Sequence, residues 1–421
     1  MIRHFFKEDR AISRLRRNYL FEFLQEMAAQ YHEERYGFHY AADSIRSAAY
    51  FGSWLKEHGI PPSKVTHTHG KQFLSQFIKP WNTFFGATSQ KHNGGLRAGV
   101  TLVIEKIHLK WPPKPKRLSR IEGELEKYAS FLRFNIGIGE SSIRNRSVKG
   151  VRLFLQAIFM DGPIRPNRIT PIMVHDYVMM KMEHYKPKTV QCAVVSVLRN
   201  FFRYWALQGQ KTEHLIAALP LIPTSRHCVS PKIMTEQHLN QLWESFDNTT
   251  ATGRRDYAAI RCMGDLGMRA ADVTRLKIDD IDWQNSTMYV ENRKGAKPII
   301  LPLTQSVGEA LADYLRHGRP DSRSRFIFLR HQAPYREASN SEMLRTAMYR
   351  ALKRAKLNDR YSGTHILRHT AATRMRLNRA PVKDIADILG HSSLQATMMY
   401  AQIDYPVLRA VAQSWPEGGS R

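Results

Sequence analysis

Along the first 220 positions, apolar residues recur at helical spacing in two similar tracts. Ile121, Leu125, Tyr128 and Leu132 stand four, three and four apart, one face of a helix. A second helix is expected after Ser141, with Ile143, Val151, Leu155 and Ile158 on its apolar side. The earlier tract offers Leu20, Leu24, Met27 and Tyr31, then a helix from about Asp43 through Trp54 and Leu55. Both second helices are expected to begin Ser-Ile-Arg, at Ser44 and at Ser142. Similar punctuation follows each, Ile60-Pro-Pro-Ser-Lys-Val-Thr66 and Ile164-Arg-Pro-Asn-Arg-Ile-Thr170. A further helical stretch then runs through Phe73 and Phe77, or through Tyr177 and Lys181. The pattern predicts two tandem small helical domains.

Beyond residue 230 the pattern changes. Helical spacing over 236–245 and 254–265 gives way to alternating and β-branched residues in Ser286-Thr-Met-Tyr-Val-Glu291 and Pro298-Ile-Ile-Leu-Pro-Leu303. Between them Arg293-Lys-Gly-Ala296 reads as the turn of a β-hairpin. Helices return from about Ser341 to the end. The expected fold class is therefore mainly α, with a small antiparallel β-sheet in the third segment. Two proline-rich basic stretches, Trp111-Pro-Pro-Lys-Pro-Lys-Arg117 and the one from Leu219 to Pro231, cannot continue a helix and act as linkers. The expected domains are 1–112, 118–222 and 230–421.

Charge narrows the partners. The chain has 64 Lys plus Arg against 37 Asp plus Glu, a formal charge of +27 over 421 residues. Such an excess repels itself unless an acidic partner offsets it, and a nucleic-acid backbone is the usual one. Cys192, Cys228 and Cys262 lie far apart, without metal-ligand spacing or a disulfide framework, which suits a reducing cytosol. The N-terminal residues hold no apolar run of signal-peptide length. No run of about 18 apolar residues suggests a membrane span. The expected location is cytoplasmic and nucleoid-associated.

Six residues stand out for chemistry. Arg269 lies in Gly267-Met-Arg-Ala-Ala-Asp-Val-Thr-Arg-Leu276, beside a glycine-containing helix junction. Lys294 sits in the hairpin turn. His365 and Arg368, in His365-Ile-Leu-Arg-His369, are three apart on one helix face. His391 follows Leu389-Gly390, where the glycine suits a helix C′ position. Tyr400 comes nine positions later, in Met398-Met-Tyr-Ala401. Each feature alone is common; their order in a strongly basic chain is not.

That order, Arg, Lys, His-x-x-Arg, His, Tyr with Leu-Gly-His before the tyrosine, resembles the tyrosine recombinase (phage integrase) family. The resemblance spans about 232–412, and the helical segment 118–220 resembles that family's core-binding domain. The repeated N-terminal segment and the ending Leu408-Arg-Ala-Val-Ala-Gln-Ser-Trp-Pro416 are closer to transposon-borne members. The resemblance implies SAM-like helical DNA-binding domains, a mixed α+β catalytic domain, and a site-specific recombinase acting through a 3′-phosphotyrosyl intermediate and a Holliday junction. It implies a specific site on double-stranded DNA, companion recombinases in some systems, and a tetramer joined by the tail helix from Pro406 to about Trp415. It requires neither metal nor ATP, because the bond energy stays in the protein–DNA ester.

Elementary chemistry suits those roles. A planar guanidinium grips two phosphate oxygens and stays charged at any working pH, so Arg269 and Arg368 are the expected phosphate pair. Donors of this kind contribute roughly 10²–10³-fold each. Tyr400, with a free pKa of about 10, needs a proton acceptor, for which His365 is placed. Lys294 would protonate the leaving 5′-oxygen, and His391 would hydrogen-bond a phosphate oxygen. The position three after Arg269 is Asp272, where the family usually has glutamate. Tyr405 is a rival nucleophile, but Pro406 follows it and pushes it towards extended backbone. His67 and His69 read as surface-loop residues rather than metal ligands. The other readings are a type IB topoisomerase, a non-catalytic DNA-binding accessory of the same fold, and a metal-dependent carboxylate-triad transposase. No ordered acidic constellation supports the last.

Overall fold

The structure is a computed structural model of the chain. It describes residues 1–84, 90–113, 119–160, 162–222, 232–291, 298–338, 341–390 and 397–398, and leaves aside the side chains of 78–84 and 90–93. The chain divides into two compact units, one made of Met1–Pro113 with Cys228–Arg421 and the other of Lys114–His227. Buried side chains fall into three main clusters, one in each stretch between the proline-rich linkers.

In the N-terminal stretch the helices Phe21–Glu33, Phe38–Glu57, His67–Phe84 and Gln90–Lys110 enclose Leu24, Met27, Tyr31, Ile45, Phe51 and Leu55. The second and last of these meet closely. Ser44 and Ser47, both fully buried, donate their hydroxyls to the carbonyls of Gly95 (3.0 Å) and Leu96 (2.9 Å). A Cβ on Gly99 would lie 2.1 Å from the Ser44 carbonyl oxygen, so only glycine permits this approach. Two ion pairs, Arg35–Asp321 at 2.8 Å and Glu34–Arg336, join this stretch to the C-terminal part of the same unit.

The 114–227 unit repeats part of this plan. Ser119 caps Arg120–Phe131 by accepting from the Glu122 N–H, and Thr170 caps Pro171–His184 by accepting from Met173. Its other two long helices contain π-helical turns at Ile143–Val148 and Gln191–Val195. The proline punctuation is a true counterpart. Pro62–Lys64 and Pro166–Arg168 are both 3₁₀ turns leading into a helix, with Val65 and Ile169 buried behind them. The shared Ser-Ile-Arg is not. Ser142 lies in the first turn of its helix, whereas Ser44 lies a turn later and is committed to Gly95. A tripeptide does not specify which way its serine faces.

From residue 232 the fold is helical with one small sheet, as expected from the sequence. Strands β1 (Ile281–Asp282), β2 (Thr287–Val290) and β3 (Ile299–Pro302) form an antiparallel sheet in that order. Met288 pairs with Ile281 and Leu301, all three facing the core, while Tyr289 and its partner Ile300 face out. The turn carrying Lys294 lies outside the described residues. A helix at Gln305–His317 fills the stretch left unassigned by the sequence reading, although Val307, Ala310, Leu311 and Tyr314 have helical spacing and are buried. His67 and His69 open the helix His67–Phe84 rather than a loop, and the Thr66 N–H donates to His69 Nδ1. At the centre lies Ala251–Asp265, packed against Gln305–His317, Glu342–Arg354 and His365–Leu377. Its buried residues include the small Ala258, Ala259, Cys262 and Gly264 beside Ile260 and Met263, and the small ones let neighbouring helices come near.

Gly99→Ala should force Phe38–Glu57 and Gln90–Lys110 apart, costing about 1–3 kcal/mol. Amide hydrogen exchange in both helices should quicken at least tenfold, while exchange in Ala251–Asp265 stays unchanged.

Candidate active site

Two arginines meet at the end of one short helix. Val382–Leu389 stops at Gly390, which takes a left-handed conformation (φ 60°, ψ 51°) as its C-cap. The chain therefore turns sharply and leaves the last carbonyls of the helix without helical partners. Arg368 donates Nη2–H to the Leu389 carbonyl, and Arg269 donates Nη2–H to the Gly390 carbonyl at 2.8 Å. Arg368 also donates Nη1–H to the Gly267 carbonyl at 2.9 Å. The guanidinium groups thus converge on consecutive carbonyls, at the negative end of a helix dipole.

Local sequence explains each placement. Ala251–Asp265 ends at Leu266, and Gly267 (φ +65°) reverses the chain so that Arg269 opens the short helix Ala270–Val273. At Gly267 the positive φ favours glycine, and a Cβ there would also press on Leu389 Cδ2 at 2.8 Å. Arg368 is 4% exposed, one turn into His365–Leu377. Asp272, buried at 5%, sets Oδ2 4.0 Å from Arg269 Nη1. At that distance it is an ion pair and not a hydrogen bond. Arg269 Nη1 is itself buried and has no hydrogen-bond partner among the described residues.

His365 begins its helix beside this pair. Partial burial, then the Arg368 and Arg269 charges, hold its pKa below the usual imidazole value. It is therefore neutral at pH 7 and able to accept a proton. His369 lies one turn on, its ring centroid 6.3 Å from that of His365. Its pKa is lowered too, by burial first and then by His365 and Arg368.

Of the six expected residues, Arg269, His365 and Arg368 come together. Lys294, His391 and Tyr400 lie outside the described residues, as do Tyr405 and the tail helix. The sequence reading missed the carbonyls of Gly267, Leu389 and Gly390, which a side-chain motif cannot display. It also gave no role to His369, although the spacing of four from His365 was visible. Among the described residues no group of three or more His, Cys, Asp or Glu could hold a metal, and no helix is long and apolar enough to cross a membrane.

The phage integrase family matches over residues 232–406. The chain is 31% identical over 417 residues to the integrase/recombinase y4rA of Sinorhizobium fredii, covering 99% of both. It is 27% identical over 316 residues to the tyrosine recombinase XerC of Oceanobacillus iheyensis, covering 74% of this chain and 93% of that protein. The fold is shared with lambda integrase, solved as a tetramer bound to a Holliday junction, with a TM-score of 0.51 and 20% identity over 72% of this chain and 86% of that one.

Arg368→Ala should strand two buried carbonyls, costing about 1–3 kcal/mol for each. Arg269→Ala strands one and should cost about half as much. Melting of the two variants beside the parent should rank Arg368→Ala clearly lower.

Proposed function

The chain belongs to the phage integrase family and is a tyrosine site-specific recombinase, and on that premise we propose that Tyr400 attacks a DNA phosphodiester seated between Arg269 and Arg368. The observation that carries this reading is the buried Nη1 of Arg269, a charged donor with no acceptor among the described residues, beside a second guanidinium fixed by two carbonyls. A dianionic transition state would supply an acceptor for that Arg269 donor.

In this reading Arg269 and Arg368 hold the non-bridging oxygens. His365, kept neutral by burial and its cationic neighbours, takes the phenolic proton. Tyr400 forms a 3′-phosphotyrosyl ester and expels the 5′-oxygen, which Lys294 protonates. His391, next in the chain after Gly390, donates to a phosphate oxygen. A 5′-hydroxyl from another strand then attacks the ester and frees the tyrosine. No hydrolysis intervenes, so the ester keeps the energy of the broken bond.

The partner is double-stranded DNA bearing a recombination site, met by a basic chain of charge +27. The helical stretches 1–112 and 118–222 add contacts to the duplex, and the work is done at the nucleoid in the cytoplasm. Strand exchange needs four active sites, and the lambda integrase tetramer on a Holliday junction supplies the analogy. The tail from Pro406 docks on a neighbouring copy. A topoisomerase or a non-catalytic accessory is less favoured, since the relatives are recombinases and Arg269, His365 and Arg368 are all present.

A suicide duplex carrying the site, incubated in EDTA, should give a covalent adduct on a denaturing gel. Tyr400→Phe should abolish the adduct; persistence would move the nucleophile elsewhere, and a strict need for Mg²⁺ would favour carboxylate chemistry. The acid limb of adduct formation should lie below the free imidazole value of about 6.5, because the folded protein holds the His365 pKa down. Removing residues after 404 should leave DNA binding and abolish strand exchange.

A further inference from the structure

The far end of the central helix carries a second concentration of positive charge that the cutting reaction does not use. A cavity of about 420 Å³ opens there, lined by Thr252, Arg255, Arg330, His331, Gln332 and Arg350 among others. Arg255 lies about 15 Å from Asp265 along the helix at 1.5 Å per residue, so the cavity and the active site occupy opposite ends of Ala251–Asp265. We infer that this cavity is a second phosphate-binding site, distinct from the seat between Arg269 and Arg368.

Three guanidinium groups face the cavity, and its described lining holds no carboxylate. Asp256 stands behind the wall: Arg255 donates Nε–H and Nη2–H to its Oδ1, at 2.9 and 2.6 Å, and the carboxylate also feels the Arg350 charge. Arg255 also donates Nη1–H to the Leu329 carbonyl, which fixes the buried guanidinium at the cavity wall. Arg330 and Arg350 are exposed, and neither makes an ion pair with a described residue. One carboxylate offsets only one of the three charges, so the cluster keeps a positive excess that a further anion would relieve.

The remaining walls are donors. The cavity sits at the N-terminus of a fifteen-residue helix, where Thr252 is the second residue and the dipole is positive. The Leu329 N–H donates to the Tyr314 hydroxyl, which also shares a hydrogen bond with His331 Nε2. His331 Nδ1 lies 3.4 Å from Thr252 Oγ1, which ties the ring to the first turn of the helix at the cavity wall. Burial and Arg255 hold the His331 pKa at about 4, which keeps the ring neutral and this chain of bonds intact at pH 7. A tetrahedral oxyanion matches forked guanidinium donors converging with a hydroxyl. Its source is either a DNA backbone or a free phosphoanion, and the two are separable.

The test compares the full chain with an Arg330→Gln, Arg350→Gln double variant. These side chains are exposed, whereas changing Arg255 would break a buried ion pair and endanger the fold. In the first arm inorganic phosphate is titrated at constant ionic strength, with melting temperature as readout. A free-anion site should raise the parent by about 2 °C or more and the double variant by less than half of that. In the second arm the salt dependence of binding to a site-bearing duplex is measured. A backbone phosphate in the cavity should give the double variant a slope smaller by about 0.9 for each phosphate it no longer neutralises. Either difference supports the site and names its source. Equal responses in both arms overturn it. Tyr400-dependent adduct formation at saturating DNA should persist in the double variant, so failure here would be separate from failure of the cutting chemistry.

Discussion

Three main-chain carbonyls hold the proposed active site together. Gly267 and Leu389 accept from Arg368, and Gly390 accepts from Arg269. These bonds tie the junction after the central helix to His365–Leu377 and to the end of Val382–Leu389, segments about a hundred residues apart in the chain. Carbonyls suit the task because they steady a guanidinium without cancelling its charge. A carboxylate at hydrogen-bonding distance would do both. Asp272 stands 4.0 Å from Arg269, near enough to orient it and too far to claim its proton. Two guanidinium charges against one carboxylate leave a positive excess, which helps keep His365 deprotonated beside it.

Two glycines make this possible, each for a different physical reason. Gly390 ends its helix in a left-handed turn, which exposes the carbonyls that the arginines need. Gly267 adopts positive φ and also leaves room for Leu389, whose side chain would otherwise strike a Cβ. Rigidity around them comes from the central helix, whose alanines and Cys262 let three partner helices pack closely. One helix thus serves two ends: the proposed strand-cutting centre follows its C-terminus, and the arginine-lined cavity lies at its N-terminus.

The two N-terminal helical stretches show how a shared plan diverges in its packing. In the first, glycine sits on the later helix, and Gly99 meets the Ser44 backbone. In the second, glycine sits on the earlier helix: a Cβ on Gly150 would approach Val197 Cγ1 at 3.0 Å. Each crossing has its own small residue, so the register of one cannot be transferred to the other. That is why the proline-marked turns correspond while the Ser-Ile-Arg tripeptides do not.

Helical periodicity, the hairpin around 287–302 and the ordered set from Arg269 to Tyr400 were all readable from residue types alone. Such features are local: a helix face, a β-turn and a reactive side chain advertise themselves by spacing and chemistry. The helix at Gln305–His317 carries the same kind of signature in Val307, Ala310, Leu311 and Tyr314. Other features had no local signature. That Arg368 is buried and bonded to carbonyls 101 and 21 residues away, or that Arg255, Arg330 and Arg350 share one cavity, follows from which helices pack together. Packing sums many weak contacts between remote segments, and no short stretch of the chain contains that sum.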